Sequence, residues 1–355
     1  MLSFIGMRFS SMAENNLSML VGCYNTPGNP GLYLYSFNQD SATFSLEDSL
    51  NIDNPSYFAF NSAGDKLYCI SENSLANSVA STIDLNKKNN SLQIINSVPL
   101  TGSPCYIEVN KNMALTANYG GGSIDVINID EKGNLCRLTD THYGACGGPD
   151  STRQNLPHIH CVKFSPDGTY VFATDFSSDR LLRFDVNNSA NSIIPTPSTI
   201  QLPDGTGCRH LIFSKDGRNV YLIGELSGNV AVFNIEDDEW EISQIIEADP
   251  VHERASADII LSPDERFLYV SNRRRNDRIA IFAVDPLSGK LTSIGYHKTG
   301  AHPRNIVITP NGRFMLVACR DSNSIEIYER NIETGQLTDE FKKLIINKPV
   351  CIKFI

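Results

Sequence analysis

Short apolar runs alternate with polar turns along almost the whole chain, and this pattern predicts β-strands. The best-defined stretch runs from Ile159 to Ser165, passes through a Pro-Asp-Gly turn at 166–168, and continues from Tyr170 to Thr174. Proline presets φ, and glycine supplies the open backbone conformation that a tight turn needs. The two runs are therefore predicted to form an antiparallel hairpin, in which the start of the first strand lies beside the end of the second.

The same hairpin pattern recurs along the chain. The predicted second strands end at residues that are 47 to 56 positions apart, namely Glu72, Tyr119, Asp175, Glu225, Asn272 and Arg320. Each hairpin is followed by a third strand, and most hairpins are also followed by a fourth. Four short antiparallel strands in every repeat are typical of a propeller blade.

The two ends of the chain complete a seventh repeat. Residues 349–355 match the first strand of a blade, whereas 17–25 and 31–37 match a second and a third strand. Closure of the ring by both ends would remove the exposed sheet edges that promote aggregation. The sequence therefore predicts an all-β fold, a seven-bladed β-propeller that forms a single domain over 17–355 after an irregular extension over 1–16. Two stacked β-sandwiches are the alternative, which the regular period disfavours.

Composition and charge narrow the classes of partner. The formal net charge of −10 disfavours binding to nucleic acid or to an anionic membrane, and no apolar run approaches the roughly 18 residues of a membrane span. The nine cysteines include no C-x-x-C pair and no zinc-ligand spacing, and an odd number cannot all pair internally. These features predict a reduced, cytoplasmic protein. The oligomeric state is not determined by the sequence.

Polar and charged residues collect at one face of the predicted disc, where first strands begin and second strands end. Alternation along a strand would place the side chains of His158 and His160 on the same side. The candidate site residues at this face are His158, His160, Arg209, Glu225, Arg273, Arg304, Arg320, Asp175, His210, Asp258, Asn118 and Asn272. A concave cluster of this kind is the first place to look for a small-molecule site.

Several motifs make the chain similar to a known family. The segments PHIH, GTGCRH, YLIGE, YVSNRR, HPRN and NYGGGSI resemble those of the seven-bladed lactonase family, which includes bacterial 6-phosphogluconolactonases and fungal carboxy-muconate lactonising enzymes. The resemblance covers the chain from about Leu17 to Ile355. It implies lactone chemistry in the channel, with no metal and no cofactor, and a small anionic sugar lactone as substrate. The working residues that it implies are His160, Arg209, Glu225 and Arg273.

The resemblance implies hydrolysis of 6-phosphoglucono-1,5-lactone, a reaction that needs an activated water and a donor for the developing oxyanion. A neutral histidine can activate water near pH 7, so we expect His160 to be the general base, with His158 as the alternative. Arg209 is expected to hold the carbonyl oxygen of the substrate. Glu225 is expected to orient the base or to protonate the leaving oxygen. A buried ion pair is the structural alternative for Arg209 and Glu225.

Other arginines on this face are predicted to bind an anionic group. We expect Arg273, Arg304 and Arg320 to clamp a phosphate or carboxylate group of the substrate, whereas Arg274 and Arg275 are expected to lie in a solvated loop. The predicted substrate-binding set is completed by Asp175, His210, Asp258, Asn118 and Asn272.

The chain departs from the family pattern at three places. Cys208 stands where the family usually has proline, Asp258 stands where glutamate is commoner, and Cys319-Arg320 replaces a usual Asn-Gln pair. Alternative functions are a lactonase or cycloisomerase for another acidic lactone, and a non-catalytic propeller scaffold. A further alternative is a calcium-dependent lactonase, whose oxygen ligands would come from Glu72, Asp175, Glu225 and Asp258.

Overall fold

A computed structural model describes residues 15–236 and 239–355, and almost all of this chain is β-strand. The predicted irregular extension over 1–16 lies outside the described residues except for its last two positions. The strands are, in chain order, β1 (Asn16–Cys23), β2 (Gly31–Asn38), β3 (Thr43–Asn51), β4 (Pro55–Phe60), β5 (Lys66–Ser71), β6 (Val79–Asn86), β7 (Ser91–Pro99), β8 (Pro104–Val109), β9 (Met113–Asn118), β10 (Ser123–Ile129), β11 (Leu135–Tyr143), β12 (Ile159–Phe164), β13 (Tyr170–Asp175), β14 (Arg180–Asn187), β15 (Ser192–Gln201), β16 (Cys208–Phe213), β17 (Asn219–Gly224), β18 (Asn229–Glu236), β19 (Glu239–Glu247), β20 (Ser256–Leu261), β21 (Phe267–Asn272), β22 (Arg278–Val284), β23 (Leu291–Lys298), β24 (Pro303–Ile308), β25 (Phe314–Cys319), β26 (Ser324–Arg330), β27 (Leu337–Ile345) and β28 (Pro349–Phe354). Short 3₁₀ turns occur at Leu75–Asn77 and Arg320–Ser322.

These strands form seven four-stranded antiparallel sheets, which are the predicted blades. Blade 1 has the order β28-β1-β2-β3, so it is built from both ends of the chain, and blades 2 to 7 each use four consecutive strands from β4 onwards. The first strands contact one another in a closed ring, from β4 through β8, β12, β16, β20 and β24 to β28 and back to β4. The fold is the predicted seven-bladed propeller, with the first strands around a central channel.

The turn between the first two strands of a blade is stabilised by its own polar side chains. In blade 4, the Asp167 carboxylate accepts hydrogen bonds from the Ser165 hydroxyl and the Thr169 backbone N–H, and Gly168 adopts a φ of +72°. Equivalent Ser or Thr to Asp or Asn bonds occur in blades 5, 6 and 7. This turn chemistry is why the pattern of Pro, Asp and Gly marked the hairpins in the sequence.

The apolar cores lie between adjacent blades. Leu20 of blade 1 packs with Phe58 of blade 2, and Tyr221 of blade 5 packs with Leu268 of blade 6. Each blade is therefore held by both of its neighbours, and the first strands that surround the channel are fixed in position. Among the described residues, no helix is long and apolar enough to cross a membrane.

Every first strand has a β-bulge near its start. In blade 4, Ile159 pairs with Asp175 and Cys161 pairs with Thr174, which leaves His160 as the extra residue. The equivalent extra residues in the seven blades, in chain order, are Ser56, Cys105, His160, Arg209, Ala257, Arg304 and Val350. A bulge bends its strand and redirects a side chain. Three of the predicted site residues therefore occupy one and the same structural position in different blades.

Candidate active site

A buried carboxylate at the channel mouth is surrounded by arginines. The Oε2 atom of Glu225 lies 3.0 Å from Arg209 Nε and 3.0 Å from Arg273 NH2, and its Oε1 atom lies 2.8 Å from Arg153 NH2. Glu225 and Arg209 were both expected here, and the structure joins them directly. Burial by itself raises the pKa of Glu225, but the charges of Arg273, Arg209 and Arg153 outweigh it and hold the pKa at about 2. The carboxyl group is therefore ionised at neutral pH.

Backbone carbonyl groups fix two of these arginines. Arg209 NH1 donates a 2.5 Å hydrogen bond to the Ala257 carbonyl, and Arg273 Nε donates a 2.7 Å bond to the Ala255 carbonyl. The Arg209 side chain is only 2% exposed. Arg209 belongs to blade 5 and Ala257 to β20 of blade 6, so the hydrogen bond of the Arg209 guanidinium group joins two blades.

The two histidines of blade 4 lie against the same tyrosine. The ring of His158 stacks on Tyr119, with centroids 4.1 Å apart, and the ring of His160 meets Tyr119 edge-on at 5.4 Å. His158 Nδ1 lies 2.6 Å from the Tyr119 carbonyl oxygen. Because a carbonyl oxygen only accepts hydrogen bonds, Nδ1 carries the proton and Nε2 of the neutral ring keeps a free lone pair.

His160 is more deeply enclosed than His158. Its Nδ1 atom lies 3.7 Å from the Cys105 sulfur, and its ring is 5.2 Å from that of His210. Burial, and then the positive charge of Arg209, hold the pKa of His160 well below its usual value of 6.5. The imidazole is therefore neutral at physiological pH.

A second cluster lies on the opposite side of the mouth, around Arg304. Arg304 NH2 is 3.3 Å from Glu72 Oε2, and the Tyr24 hydroxyl donates a 2.8 Å hydrogen bond to the same oxygen. The guanidinium carbon of Arg304 also lies 5.2 Å from the centre of the Tyr24 ring. The side chains of Arg304 and Glu72 are 15% and 23% exposed, so this ion pair is accessible from the channel.

His302 lies between Arg273 and Arg320. Its Nε2 atom is 3.4 Å from Arg273 NH1, and its Nδ1 atom is 3.2 Å from Arg320 NH2. Burial, followed by the charges of Arg273 and Arg320, lowers the pKa of His302 to about 3. Arg320 is also bonded to the neighbouring Asp321 carboxylate. Arg320 therefore carries its own counter-charge.

The structure places His210 and Asp258 deeper in the channel than the mouth. His210 Nδ1 bonds to Asp258 Oδ1 at 2.9 Å, while Asp258 Oδ2 accepts bonds from Asn305 Nδ2 at 2.6 Å and from the Ile306 backbone N–H at 3.0 Å. Burial, and then the charge of Arg209, lowers the pKa of His210 to about 4. We therefore assign this pair to support of the channel wall instead of the predicted contact with substrate.

Three other predicted binding residues are enclosed in the blades. Asp175 accepts hydrogen bonds from the backbone N–H groups of Ala145 and Ser177, Asn118 bonds to Thr116 and Ser123, and Asn272 bonds to Ser256 and the Ala248 carbonyl. Their exposure is 0%, 0% and 1%. The expectation of substrate contact is corrected at these positions, because the polar atoms of these side chains are already bonded to neighbouring protein groups. In the loop after β21, Arg274 and Arg275 are exposed, as predicted.

Sequence reasoning missed Arg153, Tyr119, Tyr24 and His302 as site residues. Arg153 lies in the segment 144–158 between β11 and β12, and the 56-residue spacing from Tyr119 to Asp175 was the signal of extra chain there.

The carboxylates that were considered as calcium ligands do not come together in the structure. Glu72, Glu225 and Asp258 each bond to different protein groups, and the described residues contain no cluster of three or more metal-ligating side chains.

Comparison with known proteins decides the family. The family model described as "Lactonase, 7-bladed beta-propeller" matches residues 18–354. This chain belongs to the lactonase family of seven-bladed β-propellers. The resemblance inferred from the motifs is confirmed.

Two curated relatives of this lactonase are named 6-phosphogluconolactonase. The protein of Formosa agariphila is 32% identical over 93% of this chain and 97% of its own length, and that of Bacillus subtilis is 30% identical over 94% and 97%. A solved candidate 6-phosphogluconolactonase of Bacteroides uniformis is 43% identical, with a TM-score of 0.94 and coverage of 96% and 100%. The periplasmic gluconolactonase PpgL of Pseudomonas aeruginosa is 28% identical, with a TM-score of 0.90 and coverage of 96% and 99%.

Proposed function

We propose that this lactonase hydrolyses 6-phosphoglucono-1,5-lactone to 6-phosphogluconate. The observation that carries the proposal is the group of arginines beside two histidines at the channel mouth, where Arg209, Arg273 and Arg153 all meet Glu225. Relatives of nearly equal length bear the corresponding name. A small anionic sugar lactone fits a site with this excess of positive charge.

Arg304 and Arg320 are the arginines that we assign to the phosphate group. Arg273 uses all three of its nitrogens in bonds to the Ala255 and Ser256 carbonyls, Glu225 and His302. Within the described part of the chain, Arg304 uses only NH2, for Glu72. Arg320 uses Nε and NH2, which leaves NH1 available. Two partly exposed guanidinium groups with unused donors are suited to phosphate oxygens.

We assign activation of the water to His158. Its Nε2 lone pair is available because Nδ1 bonds to the Tyr119 carbonyl. His160, which we expected to be the base, has a pKa well below 6.5 because of burial and Arg209. A base works best when its pKa lies near the working pH, and burial moves the pKa of His160 away from that range. We assign His160 to hydrogen bonding with the substrate.

In this reaction one proton moves from the water to His158 and then to the ring oxygen of the lactone. The water oxygen bonds to the lactone carbonyl carbon while His158 takes a proton from the water. The bond between that carbon and the ring oxygen then breaks, and the ring oxygen takes the proton from His158. Arg209 holds the developing oxyanion through NH2, since Nε and NH1 are occupied by Glu225 and Ala257.

Glu225 acts in this scheme by positioning the arginines. Its pKa of about 2 leaves no proton to give to the leaving oxygen at neutral pH. Removal of its charge would leave Arg209, Arg273 and Arg153 without their common counter-ion. The structural alternative that the sequence left open for Glu225 is therefore the role that the geometry supports.

A lactonase for unphosphorylated gluconolactone is the second candidate. The observation that favours it is the TM-score of 0.90 with a protein that is named a gluconolactonase. Glu72 beside Arg304 would in that case replace the substrate anion as the partner of the guanidinium group.

We also propose that the protein works in the cytoplasm. All nine cysteines lie in the described residues and are free thiols, and seven of them are buried. Disulfides are rare in the reducing cytoplasm. Cell fractionation followed by immunodetection tests this location, and recovery of the protein with a periplasmic marker would contradict it.

The decisive experiment is hydrolysis of freshly generated 6-phosphoglucono-1,5-lactone, read out by coupling the product to a dehydrogenase. Unphosphorylated glucono-1,5-lactone is the parallel substrate, and the spontaneous rate is the baseline for each. We expect acceleration with a clear preference for the phosphorylated lactone. A preference for the unphosphorylated lactone would support the second candidate, and no acceleration of either would reject both.

A further inference from the structure

The channel contains a cavity at the end opposite the arginine clusters. Its volume is about 390 Å³, within the range of small-molecule pockets. Tyr57 and Tyr106 stack with centroids 4.1 Å apart, and His210 meets Tyr106 edge-on at 5.3 Å. These rings line the inner end of the cavity. Along their strands these three residues each come one position after the extra residue of the bulge, so the cavity lies beyond the level of Arg209 and Arg304.

The cavity has one aliphatic wall and one wall that carries charged side chains. Three consecutive blades contribute Ile212, Ile260 and Val307, which occupy equivalent positions two residues beyond His210, Asp258 and Asn305. All three are only half-buried. Aliphatic side chains that face an open cavity favour the apolar part of a ligand, because its binding removes their surface from water.

The opposite wall carries two ammonium groups at the same level of the channel. Lys163 of blade 4 lies 3.4 Å from Glu108, and Lys353 of blade 1 lies 4.5 Å from the centre of the Tyr57 ring. Among the described residues, no carboxylate forms an ion pair with Lys353. Glu108 is paired with Lys163, so the donors of the Lys353 ammonium group are not used by any carboxylate of the described residues. Asp258 also lines the cavity and places a negative charge near both lysines, but its two oxygens are bonded to His210, Asn305 and the Ile306 backbone N–H.

We propose that this cavity is a second ligand site, which binds a small amphipathic carboxylate. The carboxylate would bond to Lys353 and Lys163, and a short aliphatic chain would lie against Ile212, Ile260 and Val307. This site is independent of the lactone reaction, because none of these side chains belongs to the channel mouth. Hydrogen bonds between an ammonium group and a carboxylate are among the stronger ones in proteins.

The probe for this site is sodium hexanoate, titrated into the purified full-length protein and followed by ligand-observed NMR. Hexanamide, which has the same chain without the charge, is the matched ligand control. The variants are Lys353→Met, which keeps the length of the side chain, and Lys298→Met, a control at an exposed position on blade 6. Arg304→Met tests whether the probe binds at the mouth instead. Thermal unfolding verifies that each variant is folded.

We expect saturable binding of hexanoate to the wild type, and a loss of about tenfold or more in affinity in Lys353→Met. Affinity should be unchanged in Lys298→Met and Arg304→Met, and hexanamide should bind at least about tenfold more weakly. If Lys353→Met does not fold, Lys163→Met should show the same loss. Absence of saturable binding, equal affinity for hexanamide, or a loss in Arg304→Met alone would overturn the proposal. None of these results depends on lactone hydrolysis.

Discussion

The Nδ1 atom of His158 lies 2.6 Å from the carbonyl oxygen of Tyr119, and the two rings of these residues stack with centroids 4.1 Å apart. The hydrogen bond fixes the position of the ring proton, and the stacking fixes the plane of the ring. A histidine held in this way presents one lone pair in one direction, which is what activation of a bound water requires.

Replacement of His158 tests this assignment. We expect His158→Ala to lower kcat for 6-phosphogluconolactone by about 10²–10⁴-fold, because the proton acceptor is lost. His160→Ala should lower kcat less and raise KM, because His160 is assigned to hydrogen bonding with the substrate. Steady-state kinetics on both variants would decide, and a larger loss of kcat in His160→Ala would return the role of base to His160.

Glu225→Gln tests the role of the shared carboxylate. Arg209, Arg273 and Arg153 would remain close together without their counter-charge, and the Glu225 side chain is only 8% exposed. We expect the free energy of unfolding to fall by about 3–5 kcal/mol, as measured by urea denaturation. The matched control is Arg218→Gln in the exposed pair with Asp216, which should cost less than about 1 kcal/mol. Equal losses in the two variants would show that Glu225 contributes no more than a surface charge.

Arg304→Met and Arg320→Met test the assignment of the phosphate group. We expect each to raise KM for the phosphorylated lactone by about 10–100-fold, through the loss of charge-assisted hydrogen bonds, and to change KM for unphosphorylated gluconolactone little. Arg274→Met is the control, since Arg274 is exposed in the neighbouring loop. An equal rise in KM for both lactones would place the contact of these arginines on the sugar instead of the phosphate.

The buried His210 predicts how stability depends on pH. Its pKa is about 4 in the folded protein, against a usual value of 6.5. Between these values the unfolded chain binds more protons, so the free energy of unfolding falls as the pH decreases from 6.5 towards 4. At about 1.4 kcal/mol for each pKa unit, the loss from His210 is on the order of 3 kcal/mol.

His210→Gln should make this dependence less steep when urea denaturation is compared at several pH values from 7 to 4, while His160 and His302, whose pKa values are also lowered, maintain part of it. The exposed His252 provides the control variant His252→Gln, which should keep the slope of the wild type. Parallel profiles for wild type and His210→Gln would show that His210 is not a major source of the acid sensitivity.

The fold could be predicted from the sequence because the residues that specify each hairpin are close together in the chain. The turn residues around Asp167 stabilise their own hairpin, and the repeat shows how many such hairpins there are. The β-bulges were not accessible, because a strand with an extra residue has the same apolar and polar pattern as a regular strand over so short a length. Strict alternation therefore gave no indication that His160, Arg209 and Arg304 share one structural position.

The candidate site could be predicted only in part from the sequence, for a related reason. Chain position placed Arg209, Glu225 and Arg273 at one face, but the partners of each side chain depend on loops and neighbouring blades. Arg153 contacts Glu225 although it lies 72 residues earlier in the chain, and no local sequence pattern predicts that contact. Asp175 was predicted to bind substrate, but its carboxylate accepts hydrogen bonds from nearby backbone N–H groups. A carboxylate at the end of a strand can stabilise local structure instead of binding a ligand.

Blade 1 has a consequence for the synthesis of the protein. Its inner strand β28 pairs with β1, so that Met19 lies opposite Phe354, across almost the whole length of the chain. Blades 2 to 7 can form while the nascent chain is still leaving the ribosome, but β1 keeps an unpaired edge until β28 has been translated. The ring is therefore completed only after β28 has left the ribosome, and contacts of such high sequence separation form slowly. The interval before closure is when the polypeptide most needs protection from association with other chains.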